Sequence, residues 1–184
     1  MVLRLSGGRR LQSPPGDTAR PTPSRVRLAV MNMLAADLPG ASWLDLCCGS
    51  GVMSCEALQR GARRVLAVDR DRRMVATART NLALVAGAHP SETAVEVIQQ
   101  EAVRWLAQGN RTGEPFNLIY ADPPYAAGLY ADLAAAVRGG RWLEPDGQLL
   151  LECASANPAD VPDGWILIKT KRYGTSTVLV LQLA

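Results

Sequence analysis

A short apolar run followed by a glycine-rich turn occupies residues 42–51, which read SWLDLCCGSG. The apolar run predicts a buried β-strand at 42–47, and Gly49 and Gly51 favour a tight turn whose backbone can approach a ligand closely. A helical pattern follows at 52–60. These residues therefore predict a strand, a turn and a helix, which is the repeating unit of a parallel α/β sheet.

The same alternation continues along the rest of the chain. Strands are predicted at 64–69, 94–99, 116–122 and 148–153, and helices at 72–85, 102–107 and 129–137. Two further apolar strands, at 165–170 and 177–183, are joined by a connection too short for a crossover helix, so we expect an antiparallel hairpin. The pattern predicts one α/β domain with a parallel sheet that ends in this hairpin.

Composition excludes several classes of protein. The chain has 184 residues, of which 48% are hydrophobic, and this fits one globular domain that needs neither metals nor disulfides to bury a core. No apolar run approaches the roughly 20 residues that span a bilayer, and the first residues lack a secretion signal, so we expect a cytoplasmic protein with no membrane association. The four cysteines lack the paired spacing of zinc sites, so we expect reduced, buried thiols and no metal site.

Positive charge is concentrated near the start of the chain. Residues 1–27 contain six arginines against one aspartate, and arginine suits bidentate contacts with phosphate. A helix is predicted at 24–38, with Ser24 as its N-cap. We therefore expect residues 1–38 to form a basic arm and lead helix that face a nucleic acid such as RNA, next to the main part of the domain at 39–184; the alternative is a solvated, disordered terminus.

Carboxylates stand at the ends of several predicted strands, where open parallel sheets bind their ligands. Asp69 ends the second strand, where a carboxylate can accept hydrogen bonds from ribose hydroxyls; the alternative is that Asp69 caps the next helix. This feature leaves NAD and S-adenosylmethionine open. Ser54 stands where a dinucleotide motif has its third glycine, and Asp45 would repel a diphosphate but attract an amine or a sulfonium. These residues therefore favour S-adenosylmethionine.

The sequence Asp122-Pro123-Pro124-Tyr125 follows a predicted central strand. Its prolines stiffen the backbone and have no N–H, so the Asp122 carboxylate and the Pro123 carbonyl can both accept protons of an exocyclic amine on a planar base. Tyr125 would stack on that base and hold the nitrogen in line for attack. The alternative is a strand-ending turn with a packed tyrosine.

Together these motifs make the sequence similar to the class I S-adenosylmethionine-dependent methyltransferases. Residues 45–51 match their cofactor loop, and residues 122–125 match the motif of enzymes that methylate amines and amides. More narrowly, the chain resembles, over nearly its whole length, the RsmD-type family that methylates a guanine N2 of small-subunit ribosomal RNA. The landmarks of that family are Gly7-Gly8 followed by arginines, Arg20-Pro21-Thr22 with Arg25-Val26-Arg27 and Asn32, and the late Arg172-Tyr173-Gly174.

The resemblance implies a Rossmann-like α/β fold with a seven-stranded, mostly parallel, doubly wound sheet whose last strand is antiparallel. The implied catalytic residues are Asp122, Pro123 and Tyr125. The implied S-adenosylmethionine contacts are Asp45, Cys47, Gly49, Ser50, Gly51, Asp69, Arg70, Glu101, Ala102 and Asp122. The implied RNA contacts are Arg9, Arg10, Arg20, Thr22, Arg25 and Arg27. The expected partner of this monomer is 16S rRNA or the assembling small subunit.

Other functions are compatible with parts of the sequence. DNA adenine and protein glutamine present amines that suit the same motif, although the chain has no obvious extra domain for recognising either. A noncatalytic RNA-binding protein of this fold is a further alternative, because the family usually has Phe-Ala at Cys47-Cys48 and Asp at Glu101. An NAD-dependent oxidoreductase is disfavoured by Ser54 and by the lack of an obvious hydride-transfer acid or base.

Overall fold

The computed structural model describes residues 2–14, 23–87, 93–111, 113–124 and 129–184. Within these ranges the helices are α1 (Ser24–Met33), α2 (Val52–Gln59), α3 (Arg72–Ala86), α4 (Ala102–Leu106) and α5 (Leu129–Gly139). The strands are β1 (Ser42–Leu46), β2 (Arg64–Asp69), β3 (Ala94–Gln99), β4 (Phe116–Ala121), β5 (Leu143–Ala154), β6 (Trp165–Tyr173) and β7 (Ser176–Leu183). Every predicted helix and strand is therefore present.

The strands form one seven-stranded sheet in the order β3-β2-β1-β4-β5-β7-β6. Strands β1 to β5 run parallel to one another, whereas β7 runs antiparallel to both β5 and β6. The prediction of a mostly parallel sheet with an antiparallel last strand is confirmed, and so is the final hairpin. The strand order reverses between β1 and β4, which is where open α/β sheets form a ligand crevice.

Both faces of the central strands are buried, and alternate side chains of each strand enter the apolar clusters on opposite sides. Trp43 of β1 packs in the cluster that includes side chains of α1, α2 and α3. Its neighbours Leu44 and Leu46 pack in the second cluster, which includes side chains of α4 and α5. The doubly wound arrangement follows from this two-sided apolar pattern.

The first described residues form a packed hairpin instead of a free basic arm. Leu3, Leu5 and Leu11 are buried in the α1–α3 cluster, and Arg4 pairs with Arg10 across the hairpin. Apolar residues between the arginines thus fix residues 2–14 to the domain, so the alternative of a solvated, disordered terminus is wrong for this segment. The expectation that residues 1–38 form an RNA-facing unit stays a prediction.

Helix α1 differs from its prediction at both ends. Its N-cap is Pro23, with no side-chain cap bond, and Ser24 is the first helical residue, so the prediction that Ser24 caps the helix is wrong. The helix ends at Met33 and not at Leu38, because Leu34 leaves the helical conformation with φ −96° and ψ 12° and begins a series of turns.

Two strands extend beyond their predicted bounds. Strand β5 begins five residues earlier than predicted, at Leu143, and an irregularity in its pairing with β4 accommodates the turn-like residues 144–147. Strand β6 continues through the polar residues 171–173, because each of them still pairs with β7. Among the helices in the described part of the chain, none has the length and apolar composition that a membrane span requires.

Candidate functional site

A cavity of about 480 Å³ lies beyond the carboxyl ends of β1, β2, β4 and β5. Its described walls include nine of the residues predicted as cofactor contacts: Asp45, Cys47, Gly49, Ser50, Asp69, Arg70, Glu101, Ala102 and Asp122. Pro123, predicted to be catalytic, lines it as well. Residues from several separate strand ends thus meet at one site, as parallel strands of one sheet require.

The turn after β1 adopts an unusual backbone conformation. Cys47, Gly49 and Gly51 have φ values of 61°, 53° and 74°, all in the left-handed region. The strand ends at Leu46 and not at Cys47 as predicted, because this conformation of Cys47 breaks the extended backbone. The turn leaves Gly49 with open space where a side chain would stand, so its backbone is exposed to the cavity.

Gly51 serves packing instead of lining the cavity. A β-carbon at this position would lie 3.1 Å from the β-carbon of Ala78, so α3 packs directly against the turn. The N–H of Gly51 also closes the turn by donating to the carbonyl of Cys48 at 2.9 Å. The lack of a side chain at Gly51 is thus needed by helix α3, and the expectation that Gly51 contacts the cofactor stays a prediction.

Asp45 is almost fully buried beside the turn, with 2% of its surface exposed. The Ser54 hydroxyl donates a hydrogen bond to this carboxyl at 2.6 Å. Burial is the main cause that raises the pKa of Asp45 to about 7, with a smaller contribution from the negative charge of Asp69. A cation placed in the cavity would favour the ionised form of this group.

Asp69 is held by backbone groups on both sides of it. Its two carboxylate oxygens accept hydrogen bonds from the N–H of Gly49 and the N–H of Asp71, each at 2.8 Å. The side chain that caps α3 is Asp71, which accepts from Arg73 and Met74, so the alternative of Asp69 as the helix cap is wrong. Asp71 was not predicted as the cap, although an aspartate directly before a helix is a standard cap signal.

Glu101 combines a structural contact with a place on the cavity wall. It caps α4 by accepting hydrogen bonds from the N–H groups of Val103 at 3.0 Å and Arg104 at 2.8 Å. The side chain of Glu101, which is longer than the aspartate usual at this position in the family that the sequence resembles, therefore bonds to its own helix. Ala102 is buried beside it.

Asp122 follows directly after β4 and lies half-buried at the cavity. Its backbone N–H donates to the carbonyl of Leu46 at 3.4 Å, which ties the end of β4 to the end of β1. Pro123 and Pro124 continue along the wall and supply no N–H of their own. Tyr125, the third predicted catalytic residue, lies outside the described residues.

A buried pair on the cavity floor was not predicted from the sequence. The Tyr120 hydroxyl donates a short hydrogen bond to the carboxylate of Glu152, and the ring of Tyr120 stacks on that of Trp43. Burial, and then the neighbouring Glu152 charge, raise the pKa of the Tyr120 phenol well above its usual range. The feature of the sequence that could have indicated this pair is Glu152 itself, a glutamate among the apolar residues of β5.

The cavity is strongly acidic. The charged side chains that line it within the described ranges are Asp45, Asp69, Asp71, Glu101, Asp122, Glu152 and one base, Arg70. Burial first, and then the nearby carboxylates, raise the pKa of the Cys47 thiol to about 12. Cys47 is therefore a neutral thiol at physiological pH and not a nucleophile, and the cavity favours a ligand that carries positive charge.

The residues predicted to contact RNA fall into three groups. Arg9, Arg10 and Arg25 are exposed. Arg27 is buried, with its guanidinium 3.6 Å from the Glu56 carboxylate, so the expectation that it contacts RNA is wrong. This ion pair anchors α1 to α2, and Arg27 also donates to the Arg4 carbonyl of the hairpin at 2.6 Å. Arg20 and Thr22 lie outside the described residues.

Sequence comparison matches almost the whole chain to one family. The family model described as conserved hypothetical protein 95 covers residues 5–182. Ribosomal RNA small subunit methyltransferase D of Escherichia coli (strain K12) is 31% identical over 177 residues, covering 94% of this chain and 85% of the relative. The protein of the same name from Haemophilus influenzae is 29% identical over 174 residues, covering 95% and 88% of the two chains.

Comparison of structures agrees with the sequence match. The solved structure of yhhF from Escherichia coli superposes with a TM-score of 0.82 and 28% identity, covering 98% of this chain and 97% of that one. The similarity therefore extends over the hairpin, the sheet and the cavity together.

Proposed function

The chain belongs to the family described as conserved hypothetical protein 95, and on this premise we propose that it transfers a methyl group from S-adenosylmethionine to the exocyclic N2 of a guanine in 16S ribosomal RNA. The observation that carries the proposal is the meeting of the β1 glycine turn and the Asp122-Pro123-Pro124 segment at one acidic cavity. Relatives named as small-subunit ribosomal RNA methyltransferases support the choice of substrate.

The walls of the cavity fit S-adenosylmethionine better than a dinucleotide. When bound, this cofactor supplies an electrophilic methyl group on a positively charged sulfur. Asp45 and the other acidic walls would attract its sulfonium and its ammonium, whereas they would repel a diphosphate. Gly49 exposes its backbone to the methionine portion, and Asp69, whose oxygens retain acceptor capacity beyond their two backbone bonds, would bind the ribose hydroxyls.

Asp122 is the group proposed to act on the acceptor. Its carboxylate and the carbonyl of Pro123 would accept the two protons of the guanine N2 amine, which directs the nitrogen lone pair out of the ring system. Tyr125 would hold the base by stacking. The nitrogen would gain the methyl group as the carbon–sulfur bond of the cofactor breaks, with S-adenosylhomocysteine as the leaving group, and would then give up one proton to solvent. The acceleration would come from position and polarisation, with no covalent bond to the enzyme.

Arginines outside the cavity would bind the RNA backbone. Arg9, Arg10 and Arg25 are exposed, and guanidinium groups suit phosphate. Arg20 and Thr22 complete the proposed contacts. The reaction would take place in the cytoplasm, on 16S rRNA or on an assembling small subunit, by a monomeric enzyme.

Methyl transfer can be measured directly. Enzyme and S-adenosylmethionine with a tritiated methyl group are incubated with unmodified small subunits, with protein-free 16S RNA and with DNA. We expect label in at least one of the two RNA substrates and none in DNA. Asp122→Ala should bind the cofactor without transferring label. Label in DNA alone would contradict the substrate, and failure to bind the cofactor would favour a noncatalytic RNA-binding protein.

A further inference from the structure

Glu152 is a buried carboxylate that has no role in the proposed methyl transfer. It lies on β5 with 2% of its surface exposed, and it lines the same cavity as Asp122. A buried carboxylate is costly unless it is paired or serves a ligand, and apolar residues surround this position in β5. Tyr120 pairs with one of its oxygens, and its place on the cavity wall makes the carboxylate available to a ligand as well.

Strand pairing places Glu152 beside Asp122. Ala121 of β4 pairs in register with Leu151 of β5. The residues that follow these two are Asp122 and Glu152. Parallel neighbours in register point to the same face of the sheet. The two carboxylates thus stand at the same level of one wall, Asp122 directly after the end of β4 and Glu152 within β5.

Tyr120 prepares Glu152 to accept further hydrogen bonds. The Tyr120 hydroxyl donates to one carboxylate oxygen, and burial keeps this phenol protonated. A carboxylate offers about four acceptor positions, so the bond from Tyr120 holds the group in place and leaves most of its acceptor capacity.

We propose that Glu152 selects the base by accepting the N1–H of the target guanine while Asp122 accepts the N2 amine. This inference rests on the proposed function. Guanine presents an amine beside a protonated ring nitrogen, which is a row of donors that two neighbouring carboxylates match. Adenine presents its amine beside an unprotonated N1, whose lone pair would face the Glu152 carboxylate. Asp122 recognises an amine on either base, and Glu152 distinguishes the two.

The test uses 2-aminopurine, which keeps the amine at C2 but has an unprotonated N1. The methylated guanine is first mapped, and RNA with 2-aminopurine at that position is made by ligation, in whichever substrate form the wild-type enzyme methylates. We expect the wild-type enzyme to prefer guanine at least about 100-fold in kcat/KM, because an unpaired buried acceptor opposes the analogue. In Glu152→Gln the side-chain amide can donate to N1, so this preference should fall at least about tenfold.

Comparing the ratio between variants cancels the different reactivities of the two amines. Glu96→Gln, which makes the same change at an exposed position of β3, should keep the wild-type ratio. Cofactor affinity should remain within about twofold in both variants. A purely structural role for Glu152 would lower both rates together and leave the ratio unchanged.

The outcomes separate this inference from the proposed function. If the wild-type enzyme forms no N2-methylguanosine in any RNA, the proposed function fails and the inference fails with it. If the wild-type enzyme methylates guanine and Glu152→Gln keeps the wild-type ratio, only the inference is overturned. Should Glu152→Gln not fold, Glu152→Asp withdraws the carboxylate by one methylene; a guanine rate as high as that of the wild type would then overturn the inference.

Discussion

The β1–β2 half of the cavity and its β4–β5 half both present carboxylates, but they hold them by different means. In the first half Asp69 accepts hydrogen bonds from backbone N–H groups of nearby turns. In the second half Glu152 accepts from Tyr120, which lies on a different strand and 32 residues away in the sequence. The first half thus holds its carboxylate with backbone groups of turns, and the second with a side chain of the neighbouring strand.

This difference assigns a separate task to each half. A turn with three left-handed residues presents backbone to a ligand and tolerates few substitutions, because side chains are strained at positive φ, which suits one constant cofactor. Side chains on two paired strands can differ without altering the turn, which suits the choice of acceptor. Changes in the two halves should therefore affect different measured quantities.

The largest effect is expected from Asp122→Ala in the β4–β5 half. Loss of the acceptor for the amine protons should lower kcat about 1,000-fold, because polarising and orienting groups have effects of this order. The dissociation constant of the cofactor, measured by calorimetry, should change less than about threefold, because the substitution leaves the β1–β2 half unaltered. The exposed Asp160→Ala is the matched control. A variant with near-normal turnover would contradict the role of Asp122.

Gly51→Ala and Gly49→Ala break the β1–β2 half in two distinguishable ways. Both introduce a side chain at positive φ, at about 1–2 kcal/mol each, but only the Gly51 change also crowds Ala78. Urea denaturation should therefore show a larger loss of stability for Gly51→Ala, by about 1 kcal/mol or more. Gly49 faces the cavity, so Gly49→Ala should weaken cofactor binding more than Gly51→Ala does, relative to the stability that each variant loses. Equal effects of the two variants would refute the packing role of Gly51.

Asp45→Asn tests the buried acid of the same half through pH. Burial raises the pKa of Asp45 from 3.8 to about 7, so the folded protein retains a proton that the unfolded chain loses as the pH rises above 4. The stability contributed by the neutral acid is complete below about pH 4 and is lost as the pH rises through about 7. Asn stays neutral, so the free energy of unfolding of the variant minus that of the wild type should increase by more than about 1 kcal/mol from pH 4.5 to pH 8.

Urea denaturation of both proteins at several pH values measures this difference without cofactor. A difference that stays constant with pH would show that Asp45 keeps an ordinary pKa in the folded protein.

Arg25→Ala has the smallest expected effect, because Arg25 belongs to neither half. It is exposed on α1, so its loss should raise the KM for RNA about threefold and reduce the slope of log affinity against log salt by about one. Both kcat and the affinity for cofactor should stay at their wild-type values. A large fall in kcat would mean that Arg25 shapes the cavity itself.

The sequence predicted the β1–β2 half well because its signals are local. Gly49 follows a buried strand and Asp69 ends the next one, so spacing along the chain is enough to place both at one sheet edge. Asp122 was predicted for the same reason. The alternation of strands and helices likewise predicted the sheet, with the largest errors at the ends of α1, β5 and β6.

Glu152 was missed and Arg27 was misjudged because their surroundings depend on distant parts of the chain. Glu152 reaches the cavity only because β5 pairs with β4, which a linear pattern does not specify. Arg27 belongs to a run of arginines that reads as a phosphate-binding segment, yet Glu56 lies within ion-pair distance in the folded protein. The sequence shows which residues are charged, whereas burial in the folded protein decides which of those charges can contact a ligand.

Nucleoside mass spectrometry of RNA from the methyl-transfer reaction tests the central claim most directly. Small subunits incubated with the enzyme and S-adenosylmethionine carrying a deuterated methyl group are digested to nucleosides, with an Asp122→Ala reaction as the blank. The account predicts deuterated N2-methylguanosine in the wild-type reaction and none in the blank. Deuterated N6-methyladenosine in its place, or the same product from both proteins, would contradict it.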